Sequence, residues 1–373
     1  MTEWQTFRLG KMVLTNQSTY SQKEDWQFVN YLDTGNITMN RIDEIQYINT
    51  STDKLPSRAR RKVKLNSIIY STVRPNQLHY GIIKEQPENF LVSTGFAVID
   101  VDFEKAVPDY IYYVLTQQEI TEHLQAIAEQ SVSAYPSIKP SDIENLELMI
   151  PDIKTQERIV SILSSIDEKI KKNNAINNNL EQQAQAIFDN MFPNTSSGDK
   201  FIGDFITPKR GKNLLSKNAI LGDVPVVAGG LEPSTYHNVS NTQAPVLAIS
   251  ASGANAGYVS LWNTPIWSSD SSYIDSSMTN DVYFWYVLLK KRQTEIFDTQ
   301  TGSAQPHIYP QHIATMPITN ISNDDISTFT NTVTPIFERI GHNKAENIRL
   351  SALRDTLLPK LMSGELDVSD IDL

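Results

Sequence analysis

Two segments of the chain carry residue types that could do chemistry. The first is Pro151-Asp152 followed by Asp167-Glu168-Lys169, which fits the loose pattern PD…(D/E)xK. Nucleases with this pattern bring carboxylates from strands onto one divalent metal, which activates water. Here the second half lies in a heptad pattern that predicts a long helix, so the carboxylates are not expected to converge. The matching segment later in the chain reads Phe337-Glu338-Arg339, without the Asp or the Lys. The second segment is basic. From Lys54 to Arg74 there are seven basic residues and no acidic one: Lys54, Arg58, Arg60, Arg61, Lys62, Lys64 and Arg74. That density suits phosphate oxygens; the plain alternative is a solvated loop that balances nearby acids. Lys209-Arg210-Gly211-Lys212 is a weaker run of the same kind. His237, Asn238 and Asn255 are expected at loop tips, where they could read base edges or simply make turns.

Other chemistries lack their residues. There is no Asn/Asp-Pro-Pro-aromatic loop of the kind that base methylation on S-adenosylmethionine needs. GxxxxGK[ST] is absent, since Gly211-Lys212 runs into Asn213 without the upstream glycine. HExxH and GxSxG are absent too. Six scattered His and no Cys leave no zinc signature, no disulfide scaffold and no thiol nucleophile. The lack of Cys suits a reducing cytoplasm. No run approaches ~18 apolar residues, and Met1–Phe7 lacks a basic-then-apolar signal sequence. The net charge of −11 argues against a protein that grips polyanions with its whole surface, though not against a local basic face.

These residues must be positioned by a chain of 373 residues, long enough for two or three domains. An internal repeat defines them. Residues 133–192 align with 303–362 at a constant offset of 170, with 13 of 60 positions identical. Six identities fall in 133–143 (SAYPSIKPSDI against SAQPHIYPQHI) and seven in 166–180 (IDEKIKKNNAINNNL against IFERIGHNKAENIRL). Chance would not keep one register across both clusters, so the chain is a duplication. Segments before each repeat correspond loosely: Tyr112–Leu115 with Trp285–Leu288, and Leu91–Thr94 with Ile266–Ser269.

Each copy ends in a predicted helix. Ile159, Leu163, Ile166 and Ile170, then Leu180, Ala184, Ile187 and Met191, follow heptad steps over 155–191, a helix of ~55 Å. The second stripe is Phe329, Val333, Ile336, Ile340, Leu350, Leu357 and Leu361, with Arg354 where the first has Ala184. Pro335 is expected to kink or restart this helix and Pro359 to end it. Asn173 and Asn177 fill the gap in the first stripe, and Asn343 and Asn347 the gap in the second. In an antiparallel pair Asn173 would face Asn347 and Asn177 would face Asn343. Such polar seam residues lower stability but fix register; the alternative is that they face solvent.

The remaining bodies are mixed α and β. Ser67–Val73, Phe96–Val101, Pro225–Val227 and Pro245–Ser250 read as strands. Residues 108–129 and 281–298 read as helical, and 193–200 reads as a linker. The expected plan is α+β with an internal pseudo-two-fold repeat. Its parts are a first mixed body (1–150), a long helix (151–193), a second body (194–320), and a second long helix with tail (321–373).

The assembled pattern resembles a specificity (S) subunit of a type I restriction–modification system. The resemblance rests on Ser137–Ile143, Ile150-Pro151, Gln156–Leu163, Ile166–Ile170, Leu180-Glu181, Ala186–Phe188, Thr301–Ile308 and Lys360–Leu366. Arg58–Arg61 with Tyr70–Asn76 resembles one common class of target-recognition domain. The likeness spans nearly the whole chain and is most specific in the helices and their flanks.

The resemblance implies two target-recognition domains separated by two long antiparallel coiled-coil helices. Each domain would read one half of a split, asymmetric site in double-stranded DNA. The helices would set the spacer and dock two methyltransferase (M) subunits, and restriction (R) subunits would join. S-adenosylmethionine, ATP and Mg would sit on those partners, with no cofactor and no catalytic residue on this chain. Lengthening both helices by one heptad would then lengthen the spacer by ~10 Å, about three base pairs. The isolated subunit is expected to bind DNA poorly. A metal-dependent nuclease and a coiled-coil adaptor that binds no DNA are the alternatives. The adaptor leaves two unlike mixed bodies unexplained, and gel shifts with and without M subunit separate the readings.

Overall fold

The computed structural model describes residues 4–131, 135–302, 305–369 and 371, without the side chain of Gln22. Ser133-Ala134 and Ser303-Ala304, which open the first cluster of identities, lie outside the described residues, as do Met1–Glu3, Asp370, Asp372 and Leu373. The chain forms two compact units. One joins residues 1–168 to 350–373, and the other is 169–349.

The first unit begins with β1 (Gln5–Arg8), β2 (Val13–Thr15) and β3 (Phe28–Leu32). A small hairpin of β4 (Ile37–Thr38) and β5 (Arg41–Ile42) precedes β6 (Gln46–Asn49) and β7 (Ala59–Lys62). Then come β8 (Ile68–Ser71), β9 (Tyr80–Ile82), β10 (Phe90–Ser93) and β11 (Phe96–Val101). Helices α1 (Pro108–Leu115), α2 (Gln118–Glu129) and α3 (Pro140–Glu144) lead to β12 (Glu147–Ile150), which pairs antiparallel with β1. The long helix α4 (Ile153–Met191) follows and continues into the second unit.

Two sheets make the body. One has strand order β2-β11-β8-β9, antiparallel throughout; the other has order β6-β3-β10-β7, with β3 and β10 parallel. Every residue of β8 is buried. Alternate side chains of a strand point to opposite faces, and here both faces are covered. Ile68 and Tyr70 pack with α1, whereas Ile69 packs with Leu32, Phe90 and Val92 of the other sheet. Ile159 and Leu163 of α4 complete the helix-side core, together with Leu361, Met362 and Val368 from the far end of the chain.

The second unit repeats the plan. Its strands are β13 (Lys200–Phe201), β14 (Lys209–Arg210), β15 (Val224–Val227), β16 (Thr235–His237), β17 (Val246–Ser250), β18 (Val259–Trp262), β19 (Trp267–Ser268) and β20 (Ser271–Asp275). Helices α5 (Val282–Lys291), α6 (Gln293–Asp298) and α7 (Pro310–Ala314) lead to β21 (Pro317–Ile318), paired with β13. Helix α8 (Asn323–Met362) closes it. The sheet β14-β20-β17-β18 has the same order as its counterpart in the first unit, and β16-β15-β19 keeps the same parallel step. Leu247 and Ile249 pack with α5 and with Phe329, Val333 and Phe337 of α8; Val246 and Ala248 pack with Val227 and Ile266. Among the described residues the second unit has no counterpart of β7, the basic edge strand.

Four sequence expectations are corrected. Helix α8 runs unbroken through Pro335 and Pro359. Each proline frees the carbonyl four residues earlier, and Asn331 and Asp355 are both exposed, so water can satisfy them. The helix stops instead at Gly364, whose φ of +76° suits glycine, beside the Trp4 indole. The helical stretch 108–129 is two helices, because the Thr116 hydroxyl and the Gln117 amide donate to the Tyr113 and Val114 carbonyls and close the first one. Residues 281–298 also divide, at buried Arg292, whose guanidinium donates to Pro317 O at 2.7 Å and to Glu295. His237 is not at a loop tip. It is the last residue of β16, buried, with Nδ1 accepting the Ile220 N–H at 3.0 Å and its ring edge-on to Trp267.

Candidate nucleic-acid interface

The basic segment of the first unit is an edge strand. Strand β7 pairs with β10 through Lys62↔Leu91, Arg61↔Val92 and Ala59↔Ser93, with an irregularity between Val92 and Ser93 that leaves Arg60 without an opposite residue. A bulge of this kind re-aims side chains at a sheet edge. Ala59 is buried, Arg58 is exposed, and Arg60 and Arg61 are half-buried. The Nε of Arg61 is buried without a hydrogen-bond partner, and Arg60 Nε donates to Ser57 O at 3.4 Å. Lys62 is ion-paired to Glu24 and sits over the Trp26 ring, 5.1 Å from its centre. Lys64 lies 3.5 Å from Asp100. Arg74 has φ +48°, a costly state for a residue with a Cβ, and stacks over the Tyr135 ring at 5.0 Å. The seven cations are therefore not equivalent: Lys62 and Lys64 are compensated, while Lys54, Arg58, Arg60, Arg61 and Arg74 make no ion pair among the described residues.

The Arg58 charge acts on a carboxylate that sequence reasoning missed, Asp33. Asp33 Oδ1 accepts from the Thr34 N–H and the Tyr31 hydroxyl, each at 2.9 Å. Burial works to raise its pKa. The hydrogen bonds from Thr34, Ser93 and Tyr31 and the charge of Arg58 outweigh burial and hold the carboxyl below its ordinary range. The Tyr31 hydroxyl is pushed up to about 12, mainly by burial.

In the second unit Lys209, Arg210 and Lys212 are exposed on and after β14. Arg210 Nη2 donates to Asp270 Oδ1 at 2.6 Å, and the Ser252 hydroxyl donates to Asp270 Oδ2. Lys209 and Lys212 make no ion pair among the described residues. Gly211 is required at its place, since a Cβ there would strike the backbone of Ser268 and Ser269. That close approach lets the Lys212 N–H reach Ser268 O at 2.9 Å and the Leu214 N–H reach Ser269 Oγ at 2.9 Å. Asn238 is exposed, and Asn255 is half-buried in the turn after β17.

The four seam asparagines come together within the second unit. Asn173 Nδ2 donates to Asn347 Oδ1, and Asn343 Nδ2 donates to Asn177 Oδ1, both at 2.8 Å. Asn173 also donates to Glu346, which Lys169 approaches to 3.4 Å, and Asn347 donates to Asn174. Asn173, Asn177 and Asn343 are buried. Residue numbers rise along one helix as they fall along the other, so the pair is antiparallel.

The nuclease-like pattern disperses. Asp152 caps α4, accepting the Thr155 N–H at 3.0 Å and its hydroxyl at 3.1 Å. Asp167 lies four turns along the same helix, about 22 Å away at 1.5 Å per residue. It accepts from the Tyr113 hydroxyl at 2.7 Å and from Arg354 at 2.9 Å. Among the described residues no group of His, Asp and Glu could hold a metal ion, and no helix is long and apolar enough to cross a membrane.

Comparisons with known proteins agree on one family. A family model described as type I restriction modification DNA specificity domain matches residues 1–182. The chain is 24% identical to the type I restriction enzyme HindI specificity subunit of Haemophilus influenzae, over 98% of this chain and all of that one. It is 26% identical to the MjaIX specificity subunit of Methanocaldococcus jannaschii, over 78% of this chain and 76% of the relative. The fold is shared with the crystal structure of a type I restriction–modification S subunit from M. genitalium, with TM-score 0.59, 18% identity, and coverage of 97% and 96%. Duplicated sheets, paired long helices and whole-length similarity thus converge: residues 1–182 belong to the type I restriction modification DNA specificity domain family, and the chain is similar over 98% of its length to a specificity subunit.

Proposed function

We propose that each unit reads one half of a split, asymmetric site in double-stranded DNA, and that the paired long helices set the unread spacer between the halves. The observation that carries this reading is one strand plan used twice with different surfaces. The first unit carries a basic edge strand, and the second has Lys209 and Lys212 beside a serine-rich turn. A common scaffold with unlike faces suits two readers of unlike half-sites.

The helices also dock two methyltransferase subunits, and restriction subunits join that complex in the cytoplasm. S-adenosylmethionine, ATP and Mg belong to those partners, and this chain contributes recognition without catalysis. The partners complete the positive surface that a chain of net charge −11 lacks. The test exchanges residues 201–300 for those of another specificity subunit and maps methylated adenines in cells that carry the M subunit. One half of the methylated motif should change and the other should stay. A change in both halves, or in neither, refutes the assignment.

A further inference from the structure

The shared strand order permits position-by-position comparison of the two units. Ser71 of β8 pairs with Phe96, and Ser250 of β17 pairs with Ser271. In that register the turn Ser93-Thr94-Gly95 corresponds to Ser268-Ser269-Asp270. Both turns take the same backbone bond from the end of the central strand: Thr72 N–H to Gly95 O at 2.8 Å, and Ala251 N–H to Asp270 O at 3.1 Å. The next residue, Val73 or Ser252, bridges Ser137 or His307, equivalent positions of the repeat.

Each turn holds an arginine. The Arg58 guanidinium lies against Gly95, so that a Cβ at position 95 would collide with Nη2, and the Arg58 carbonyl accepts the Thr94 N–H at 2.8 Å. Arg210 Nη2 is bonded to Asp270 of the matching turn. The two arginines come from non-equivalent segments. Arg58 precedes β7, which has no counterpart among the described residues of the second unit, and Arg210 belongs to β14. In the first unit the site equivalent to Lys209-Arg210 is Asn16-Gln17, since Asn16 bonds Val98 where Lys209 pairs with Tyr273. Two unrelated segments therefore deliver one chemical group to one place in the fold. Arg210 is ion-paired to Asp270, whereas Arg58 makes no ion pair among the described residues and acts on Asp33 only through its charge.

Arg210, paired to Asp270, adds little net charge for a phosphate. A guanidinium seated against the turn offers a planar fork, which bidentate pairing with guanine O6 and N7 requires. Building on the half-site reading above, we propose that Arg58 and Arg210 are the base-reading residues of their units, each directed at a guanine edge in the major groove. The uncompensated Lys54, Arg60, Arg74, Lys209 and Lys212 then neutralise phosphates around them.

The test uses the full chain with its M subunits. After the methylated motif is mapped, duplexes carrying it are made with 7-deazaguanine at each guanine in turn, which removes N7. One such position in each half-site should weaken wild-type binding roughly five-fold or more. Arg58→Ala should abolish that sensitivity in one half and Arg210→Ala in the other, with the motif relaxed at the same base. Arg58→Lys and Arg210→Lys keep the charge and should relax it equally. If the Ala variants keep the motif and only flatten the salt dependence by about 0.9 in log–log slope, the arginines are phosphate contacts and the proposal falls. Unchanged binding, or a half-site without guanine, overturns it for that unit. A wild-type complex that yields no split motif refutes the half-site reading itself, a separate result.

Discussion

Arg354 Nη1 lies 2.9 Å from Asp167 Oδ1, and the other oxygen of that carboxylate accepts the Tyr113 hydroxyl at 2.7 Å. Arg354 stands at the repeat position of Ala184, and Asp167 at that of Phe337. The second unit solves the same seam position with apolar packing: Tyr283 stacks on Phe337 and Tyr286 meets it edge-on. Asp167 raises the pKa of the Tyr113 hydroxyl, though burial is the larger cause.

Loss of Arg354 should leave the Asp167 charge half-buried without a cation, whereas Arg354 without Asp167 keeps Asp355 at 2.8 Å. Arg354→Ala should destabilise the first unit by about 1–3 kcal/mol, between the values for exposed and buried pairs. The double change Arg354→Ala with Asp167→Phe copies the apolar pair of the other unit and should recover much of that loss. Urea unfolding of wild type, both singles and the double measures it. A double variant as unstable as the sum of the singles would exclude coupling.

The Asn343–Asn177 amide pair is buried. Asn343→Leu should cost about 1–3 kcal/mol, because it strands the Asn177 carbonyl oxygen. Replacing Asn173, Asn177, Asn343 and Asn347 together by Leu should raise the melting temperature and loosen the register. Cysteines introduced at exposed helix positions would report the register by crosslinking. A single crosslinked product at wild-type spacing from the Leu variant would show that the amides do not set it.

Salt dependence should separate the cations of the first unit. Arg60→Ala and Arg74→Ala should each lower the log–log salt slope of DNA binding by about 0.9. Lys62→Ala and Lys64→Ala should lower it much less, since Glu24 and Asp100 already compensate those charges. Titrations of the complex from low to moderate salt give the slopes. Equal changes for all four variants would refute the distinction.

Asp33 gives a pH signature. Its folded pKa is depressed below the ordinary carboxylate value of about 4. The unfolded chain therefore binds a proton first as pH falls. The contribution is full above about pH 4 and is lost below it, as pH falls through the folded value. Asp33→Asn should be less stable than wild type at neutral pH, and the gap should narrow toward pH 3. A gap that stays constant in thermal melts across that range would rule Asp33 out.

Legibility followed the distance over which information is written. The duplication and the antiparallel asparagine seam could be read from the sequence, because identities at a fixed offset and heptad steps are local signals. The twin sheets could not, because strand order is set by non-local pairing that diverging surfaces no longer spell out. Leu91–Thr94 against Ile266–Ser269 was the one trace of it. Within the basic run, residue type showed the charges and hid the partners, since Glu24 and Asp100 are remote in sequence from Lys62 and Lys64. Pro335 and Pro359 were misread because the rule for proline assumes that the freed carbonyl stays dry.

The core of the first unit draws on both ends of the chain: Leu9 and Tyr110 pack with Leu361, Met362 and Val368. On the ribosome, residues 1–168 must wait for these core residues until position 368 has been translated. Residues 169–349 are contiguous and can close earlier. The usual amino-to-carboxyl order of domain folding is thereby reversed. Premature termination anywhere before the end of α8 disables the part of the protein that was made first.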